Sequence, residues 1–383
     1  MITQYSIAFI ISATMVLSSL SAQPFFGTRK DKCILPNTIN EASGIVASQQ
    51  YLGMYWIHND SGDEPRLFLM DSTCGLRTIF RLPNTTHRDW EDIALGKNLQ
   101  NNKFTIFIGD IGDNNAVYSE KYIIRLTEPT IPSALDTALY DTDILRFQYT
   151  DGNRDAETLL YDPLMQDLYI VSKREDSVGV YRFSYPQSTD SVTLLKKVTT
   201  LPLSGIVSGD ISSDGTEILL KNYTQMFYWK KQSHETIAEA LSRPYISVPY
   251  EFEPQGEAVC WTSSGNGYIT VSEESPFSIP SHLYFYPRLL PTDIYSTHHD
   301  DNSSIRIVYK NIHTPVFYIP CKPGAWVQVE IYDILGNSIH TLFHDKVHTD
   351  ILQCEWENSV HGMYWCHVTV NNSTTTTLFY IGQ

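Results

Sequence analysis

Between Glu41 and Tyr286 the chain is a succession of short apolar runs cut apart by Gly, Asn, Asp and Pro. Lys103–Gly109 (KFTIFIG), Lys121–Leu126 (KYIIRL), Asp167–Ser172 (DLYIVS), Gly179–Phe183 (GVYRF) and Gly267–Ser272 (GYITVS) are examples. None extends the 3.6-residue period of an amphipathic helix over three turns, so each predicts a strand. Many short strands divided by turn residues mean a sandwich, a barrel or a propeller.

A recurring phrase separates these three. An acidic, small-residue opening starts a strand, a turn follows, and a second β run ends in polar residues. The openings are Glu41-Ala-Ser-Gly-Ile, Asp89-Trp-Glu-Asp-Ile-Ala, Asp155-Ala-Glu-Thr-Leu, Gly209-Asp210-Ile-Ser and Gln255-Gly-Glu257-Ala-Val. Aligned on Glu41, Glu91, Glu157, Asp210 and Glu257 they recur at intervals of 50, 66, 53 and 47 residues, which suits a four-stranded propeller blade of about 40–50 residues. The expectation is an all-β fold: a five-bladed β-propeller over residues 23–288 followed by a small β-sandwich. A sixth blade remains open, hidden in the 66-residue interval or before Glu41.

If each phrase opens an innermost strand, the second strand runs back and ends on the same face. Radial symmetry then gathers strand openings and strand ends at one mouth of the central channel. Turn preference accounts for Asp60-Ser-Gly and Asp214-Gly but not for Glu recurring in four of five phrases. The expected metal ligands are Glu41, Glu91, Asp92, Asp155, Glu157, Asp210 and Glu257. Ca²⁺ suits them, because it accepts six to eight oxygens in irregular geometry, and without a cation so many carboxylates repel and raise one another's pKa. Arg88, Asp110, Asp113, Lys173, Arg174, Lys221 and Glu273 would face a ligand beside the ion.

Charge supports this placement. The formal net charge is −16, and the segment from Ile305 onward contributes little of it, so the acidity belongs to the propeller. An acid excess of this size excludes nucleic acid as a partner. At the N-terminus, Ser6–Leu20 is apolar and uncharged but shorter than the roughly 20 residues a membrane span needs, and it leads into Ser21-Ala22-Gln23. Residues 1–22 read as a signal peptide. The mature chain is then exported, with no transmembrane helix. Six cysteines allow fifteen pairings; Cys354 and Cys366, flanking a turn in what look like adjacent strands, are the expected bridge.

After Tyr286 the texture changes. Residues 289–304 are polar and read as a linker, and residues 305–383 form a second β unit. Within it Val329-Glu-Ile-Tyr-Asp-Ile-Leu-Gly-Asn337, Trp356 and Gly362-Met-Tyr-Trp-Cys366 resemble the C-terminal sorting domain of type IX secretion substrates. That resemblance implies a seven-stranded sandwich serving as an export address, the type IX secretion machinery as partner, and a secreted or outer-membrane surface location. The phrases Trp90-Glu91-Asp92-Ile93-Ala94, Gly109-Asp110-Ile111-Gly112-Asp113-Asn114 and Gly256-Glu257-Ala258 resemble a group of secreted bacterial propellers with no firm activity. The layout of acids at strand tops is similar to the calcium-centred propellers of the apyrase, regucalcin and phytase-like kinds.

Gly-x-Ser-x-Gly, H-E-x-x-H and Walker signatures are missing from the sequence, so serine-hydrolase, zincin and P-loop chemistry have no footing. Two functions fit what remains. One is calcium-dependent hydrolysis of phosphoesters or lactones, with cations beside the ion holding substrate. The other is non-enzymatic binding of a small molecule, glycan or protein at the channel mouth, with structural calcium.

Overall fold

The computed structural model describes residues 26–289 and 305–381, apart from residues 275–278, 312–313, 334–335, 358–359, 361 and 372. The strands of residues 26–289 group into five units. β1 (Lys30–Ile34) comes first in the chain but belongs to the last unit. Unit one holds β2 (Ala42–Ala47), β3 (Met54–Asn59), β4 (Arg66–Asp71) and β5 (Leu76–Arg81). Unit two holds β6 (Trp90–Lys97), β7 (Phe104–Asp110) and β8 (Lys121–Thr127); after the three-residue β9 (Asp136–Ala138), β10 (Asp143–Tyr149) completes it. Unit three is β11 (Ala156–Tyr161), β12 (Leu168–Ser172), β13 (Val178–Phe183) and β14 (Val192–Leu201). Unit four is β15 (Ile206–Ile211), β16 (Glu217–Asn222), β17 (Met226–Lys230) and, after the one-turn helix α1 (Ile237–Leu241), β18 (Ile246–Val248). β19 (Gly256–Trp261), β20 (Gly267–Ser272) and β21 (His282–Pro287) form unit five with β1 on its outer edge.

The innermost strands β2, β6, β11, β15 and β19 touch in a closed cycle, β19 returning to β2. Each neighbouring pair of units shares one apolar core. Ile45 and Phe68 meet Ala258 and Val271 between units five and one, and Trp56 and Leu69 meet Trp90 and Ile108 between one and two. Phe107 packs on Tyr161, Leu160 on Leu220, and Tyr228 on Trp261 around the rest of the ring. This is a β-propeller. Its inner strands are covered on both faces, which explains why their sequences are near-continuous apolar runs rather than strict alternations.

Both places where a sixth unit was open are otherwise used. The long interval carries β9, which adds to β5 in parallel, and β10, which pairs β8 and then β14 in parallel. The segment before Glu41 supplies β1, antiparallel to β21, so an N-terminal strand closes the ring.

Residues 305–381 form a β-sandwich of seven strands. One sheet is β22 (Arg306–Asn311), β23 (Thr314–Pro320) and β26 (Ile351–Glu355); the other is β24 (Trp326–Asp333), β25 (Ser338–Lys346), β27 (Gly362–Val370) and β28 (Ser373–Ile381). Phe317, Val329, Trp356, Tyr364 and Phe379 are in the core between them. The expected signal peptide at residues 1–22 and nearly all of the linker at 289–304 lie outside the described residues. Among the described residues no helix is long and apolar enough to cross a membrane.

The cysteines correct one expectation. Cys354 and Cys366 are both buried free thiols: β26 pairs with β23 and β27 with β24 and β28, so they sit in opposite sheets rather than beside one hairpin turn. The bridge joins Cys33 in β1 to Cys74 in the β4–β5 turn, 41 residues apart, and ties the closing strand to unit one. Constraint of a loop of that length in the unfolded chain is worth about 2–4 kcal/mol. The double variant Cys33→Ser/Cys74→Ser should lose that much in urea melts under non-reducing conditions; a loss below about 0.5 kcal/mol would show that ring closure does not lean on the bridge.

Candidate functional site

Each inner strand takes one extra residue at the same place. Ala42 and Gly44 pair with Asn59 and His58, leaving Ser43 unopposed. Glu91, Glu157, Val207 and Glu257 are unopposed in the same way in β6, β11, β15 and β19. A bulge of this kind bends the strand and re-aims a side chain. These five residues are the rotational equivalents, so the alignment on acids is two residues early at Glu41 and three late at Asp210.

Two residues before each bulge stand Glu41, Asp89, Asp155, Gly205 and Gln255, and just past each second strand stand Asp60, Ile111, Lys173, Tyr223 and Glu273. The amides of Asp60, Lys173 and Glu273 donate to the carbonyls of Glu41, Asp155 and Gln255 at 2.8, 3.1 and 2.9 Å. One rim therefore carries both sets.

Two groups of carboxylates converge there, sharing Glu91: Asp60, Asp89 and Glu91, and Glu91, Asp155 and Glu157. Within each group one oxygen from every residue lies within 4.8 Å of the others. Their surroundings differ. In the first, Asp60 accepts a hydrogen bond, among the described residues, only from the Ser61 amide at 2.5 Å. The carboxylates of Asp89 and Glu91 meet no donor and no cation within ion-pair distance among the described residues, although Glu91 is only 6% exposed. Burial, followed by Glu157, Asp60 and Asp89, pushes Glu91 well above the usual carboxylate range; burial with Asp60 and Asp155 pushes Asp89 up to about 6. Gly112 brings the β7–β8 loop against this pair, and a Cβ there would collide with Glu91 Oε1 and Asp89 Oδ2.

The second group is already compensated. Lys173 Nζ contacts Glu157 Oε1 and donates to the Tyr223 hydroxyl at 3.1 Å, and that hydroxyl donates to Glu257 at 2.8 Å. Against the downward pull of burial, Glu157 holds the Lys173 ammonium above its ordinary value. Asp155 accepts from the Asp113 amide at 2.7 Å and pairs with Arg174 Nε at 2.5 Å.

Other expected site residues stand apart. Asp92 is fully buried below the mouth, accepting from the amides of Ile93 and Leu159, both at 3.0 Å, and from Ser208 Oγ at 3.3 Å. Asp210 accepts from the amides of Ile211 and Trp261, both at 2.8 Å, and borders a cavity of about 210 Å³ with Val46, Leu95 and Trp261. Inner-strand edges present unpaired N–H groups to the channel, and these two aspartates satisfy them. They staple neighbouring units together. Asp110 positions the rim by accepting from the Asp89 amide at 2.9 Å. Asp113 is held low, against the effect of burial, by Lys121 at 2.8 Å and by the Val117 and Tyr118 amides. Arg88 donates to the Glu120 carbonyl and lies 4.1 Å from the Tyr118 ring. Lys221 is fully buried, bonded to the Gly256 carbonyl, and burial pulls it down to about 8. Glu273 accepts from Gln255 at 2.7 Å; burial, then Glu257, Asp60 and Glu41, raise it to about 8. Glu41 is exposed.

No protein-family model and no curated protein matches this chain. Among solved structures it is similar to a chain in a crystal structure of a nidogen/laminin complex, at 12% identity and a TM-score of 0.37, over 60% of this chain and 72% of that one.

Asp60 and Asp89 belong to a carboxylate group that reading the phrases did not select. The signal available was positional: Asp89 lies two places before Glu91, and Asp60 follows a polar strand end. Asp210 supplies a pH test. Burial raises its carboxyl to about 7 against the opposing pull of two amide donors, so the native state binds this proton more tightly than the unfolded chain. The resulting stabilisation is complete below about pH 4 and is lost as pH rises through 7. The stability advantage of wild type over Asp210→Asn, from urea melts, should therefore shrink between pH 5 and pH 8; an advantage that grows would contradict the burial argument.

Proposed function

We propose that this protein is a calcium-binding β-propeller of the cell surface or secreted space, with the ion held at the channel mouth by Asp60, Asp89 and Glu91, and that it acts by binding a ligand there rather than by hydrolysis. One observation carries the reading: among the described residues, the buried Glu91 carboxylate sits against two other carboxylates with no hydrogen-bond donor and no cation within ion-pair distance, and Lys173 offsets it only from farther away. Leaving an ionised carboxylate buried and unpaired is costly unless a metal or a proton neutralises it. All-oxygen, all-carboxylate donors in an irregular frame favour a hard cation, and calcium tolerates irregularity better than magnesium.

The state of the neighbouring cations favours binding over catalysis. A calcium-dependent phosphoesterase or lactonase would need cationic side chains free to hold substrate beside the ion. Lys173 is engaged with Glu157 and Tyr223, Arg174 with Asp155 and Asn114, and Arg88 with Glu120 and Tyr118. The remaining acids Glu41 and Glu257 repel anions, which suits a neutral glycan or a protein surface with basic groups. For the terminal sandwich, the resemblance to type IX sorting domains supports a role as export address.

The test is thermal melting of the purified chain with calcium and with EDTA, beside phosphoester and lactone assays. Calcium at a hundred times its dissociation constant should stabilise wild type by about 2.7 kcal/mol, and Glu91→Gln should abolish that response without unfolding the protein. Gly112→Ala should weaken it, since the new methyl displaces the Glu91 and Asp89 oxygens. Melting indifferent to calcium and EDTA, or a full response in Glu91→Gln, would overturn the assignment; calcium-dependent turnover lost in Glu91→Gln would restore the hydrolytic reading.

A further inference from the structure

The propeller's rotational symmetry carries the Asp89–Glu91 pair onto Asp155–Glu157: the same place before the bulge, and the bulge itself, in the next unit. The chain thus contains two copies of one ligand pair, side by side and joined through Glu91. Only one copy is uncompensated. The position just past the second strand holds Asp60 in unit one, Ile111 in unit two and Lys173 in unit three. The first pair therefore receives a third carboxylate from the preceding unit, whereas the second receives an ammonium from its own unit and only Ile111 stands where Asp60 stands for the first.

We infer that Lys173 is a built-in cation occupying the second half of this paired site, and that it limits the channel to a single divalent ion. This rests on the calcium reading of Asp60, Asp89 and Glu91. The Lys173 side chain is 12% exposed, and it meets Glu157 and Tyr223 at once. The other cation on this group, Arg174, is 48% exposed while its partner Asp155 is 3% exposed; the guanidinium can withdraw into water, and Asp155 then still keeps the Asp113 amide at 2.7 Å. Lys173 has nowhere comparable to go, because withdrawing it would leave Glu157, 5% exposed, buried without a partner. A divalent ion at Asp155–Glu157 would also lie beside the ammonium and be repelled by it. The lysine therefore acts as a stoichiometry-determining residue: it neutralises the second group permanently and leaves the first dependent on an ion from solution.

Calorimetric titration of the full chain with CaCl₂ tests this, comparing wild type, Lys173→Gln and Lys173→Arg, with circular dichroism of each to establish folding. Wild type and Lys173→Arg should take one ion per chain, and Lys173→Gln two. One ion in Lys173→Gln, with wild-type affinity, overturns the inference while leaving the calcium reading intact. An ion bound by Lys173→Gln but not by wild type would uphold the role of Lys173 and refute the Asp60–Asp89–Glu91 site. No binding by any of the three refutes both. Should Lys173→Gln not fold, Lys173→Met keeps the aliphatic stem and reads the same stoichiometry.

Discussion

Every inner strand of the propeller admits one extra residue near its channel-mouth end, and this backbone device decides which side chains meet. Without the bulge, Glu91, Glu157 and Glu257 would continue the in-and-out alternation of their strands, facing the apolar seams between units on one side or the other. With it, three glutamates from distant parts of the chain share a rim with the residues flanking them. The carboxylates are then forced together in a place where water is scarce. Burial first, and the neighbouring carboxylates after it, raise the pKa values of Glu91, Asp89 and Glu273.

The protein offsets most of this charge internally, by three different means. Backbone amides hold Asp92 and Asp210, whose role is to join neighbouring inner strands. Ammonium and guanidinium groups hold Asp113, Asp155 and Glu157. Tyrosine and glutamine side chains hold Glu257 and Glu273. After this allocation the Asp60–Asp89–Glu91 group stands, among the described residues, without a cation in contact with it, and it is this remainder, not the total of acids, that makes a case for a metal. A count of carboxylates alone would have favoured the Asp155–Glu157 side equally.

The sequence carried the architecture because the repeated phrase has a physical cause: each copy opens the strand that lines the channel. Glu91, Glu157 and Glu257 align with one another because each occupies the bulge of its inner strand. Glu41 and Asp210 were aligned with them because the alignment followed charge, whereas the structure repeats a backbone irregularity. At the two equivalent bulges stand Ser43 and Val207, which no search for acids would select. Asp92 and Asp210 look like ligands in a linear reading, since a strand's unpaired amides are invisible until the neighbouring strand is known. Lys221 looked like a residue of the mouth but is buried beneath it, against Tyr250. The Cys33–Cys74 bridge depends on ring closure by the first strand, a contact between the two ends of the propeller that no local pattern announces.

The central claim is that an uncompensated carboxylate trio at the channel mouth binds calcium while its symmetry-related neighbour does not. Crystals of the calcium-loaded full chain, with the ion located by its anomalous scattering, test this most directly. The account predicts a single ion at about 2.3–2.6 Å from oxygens of Asp60, Asp89 and Glu91, with Lys173 still on Glu157. A mouth without an ion, or an ion between Asp155 and Glu157 with Lys173 displaced, would contradict it.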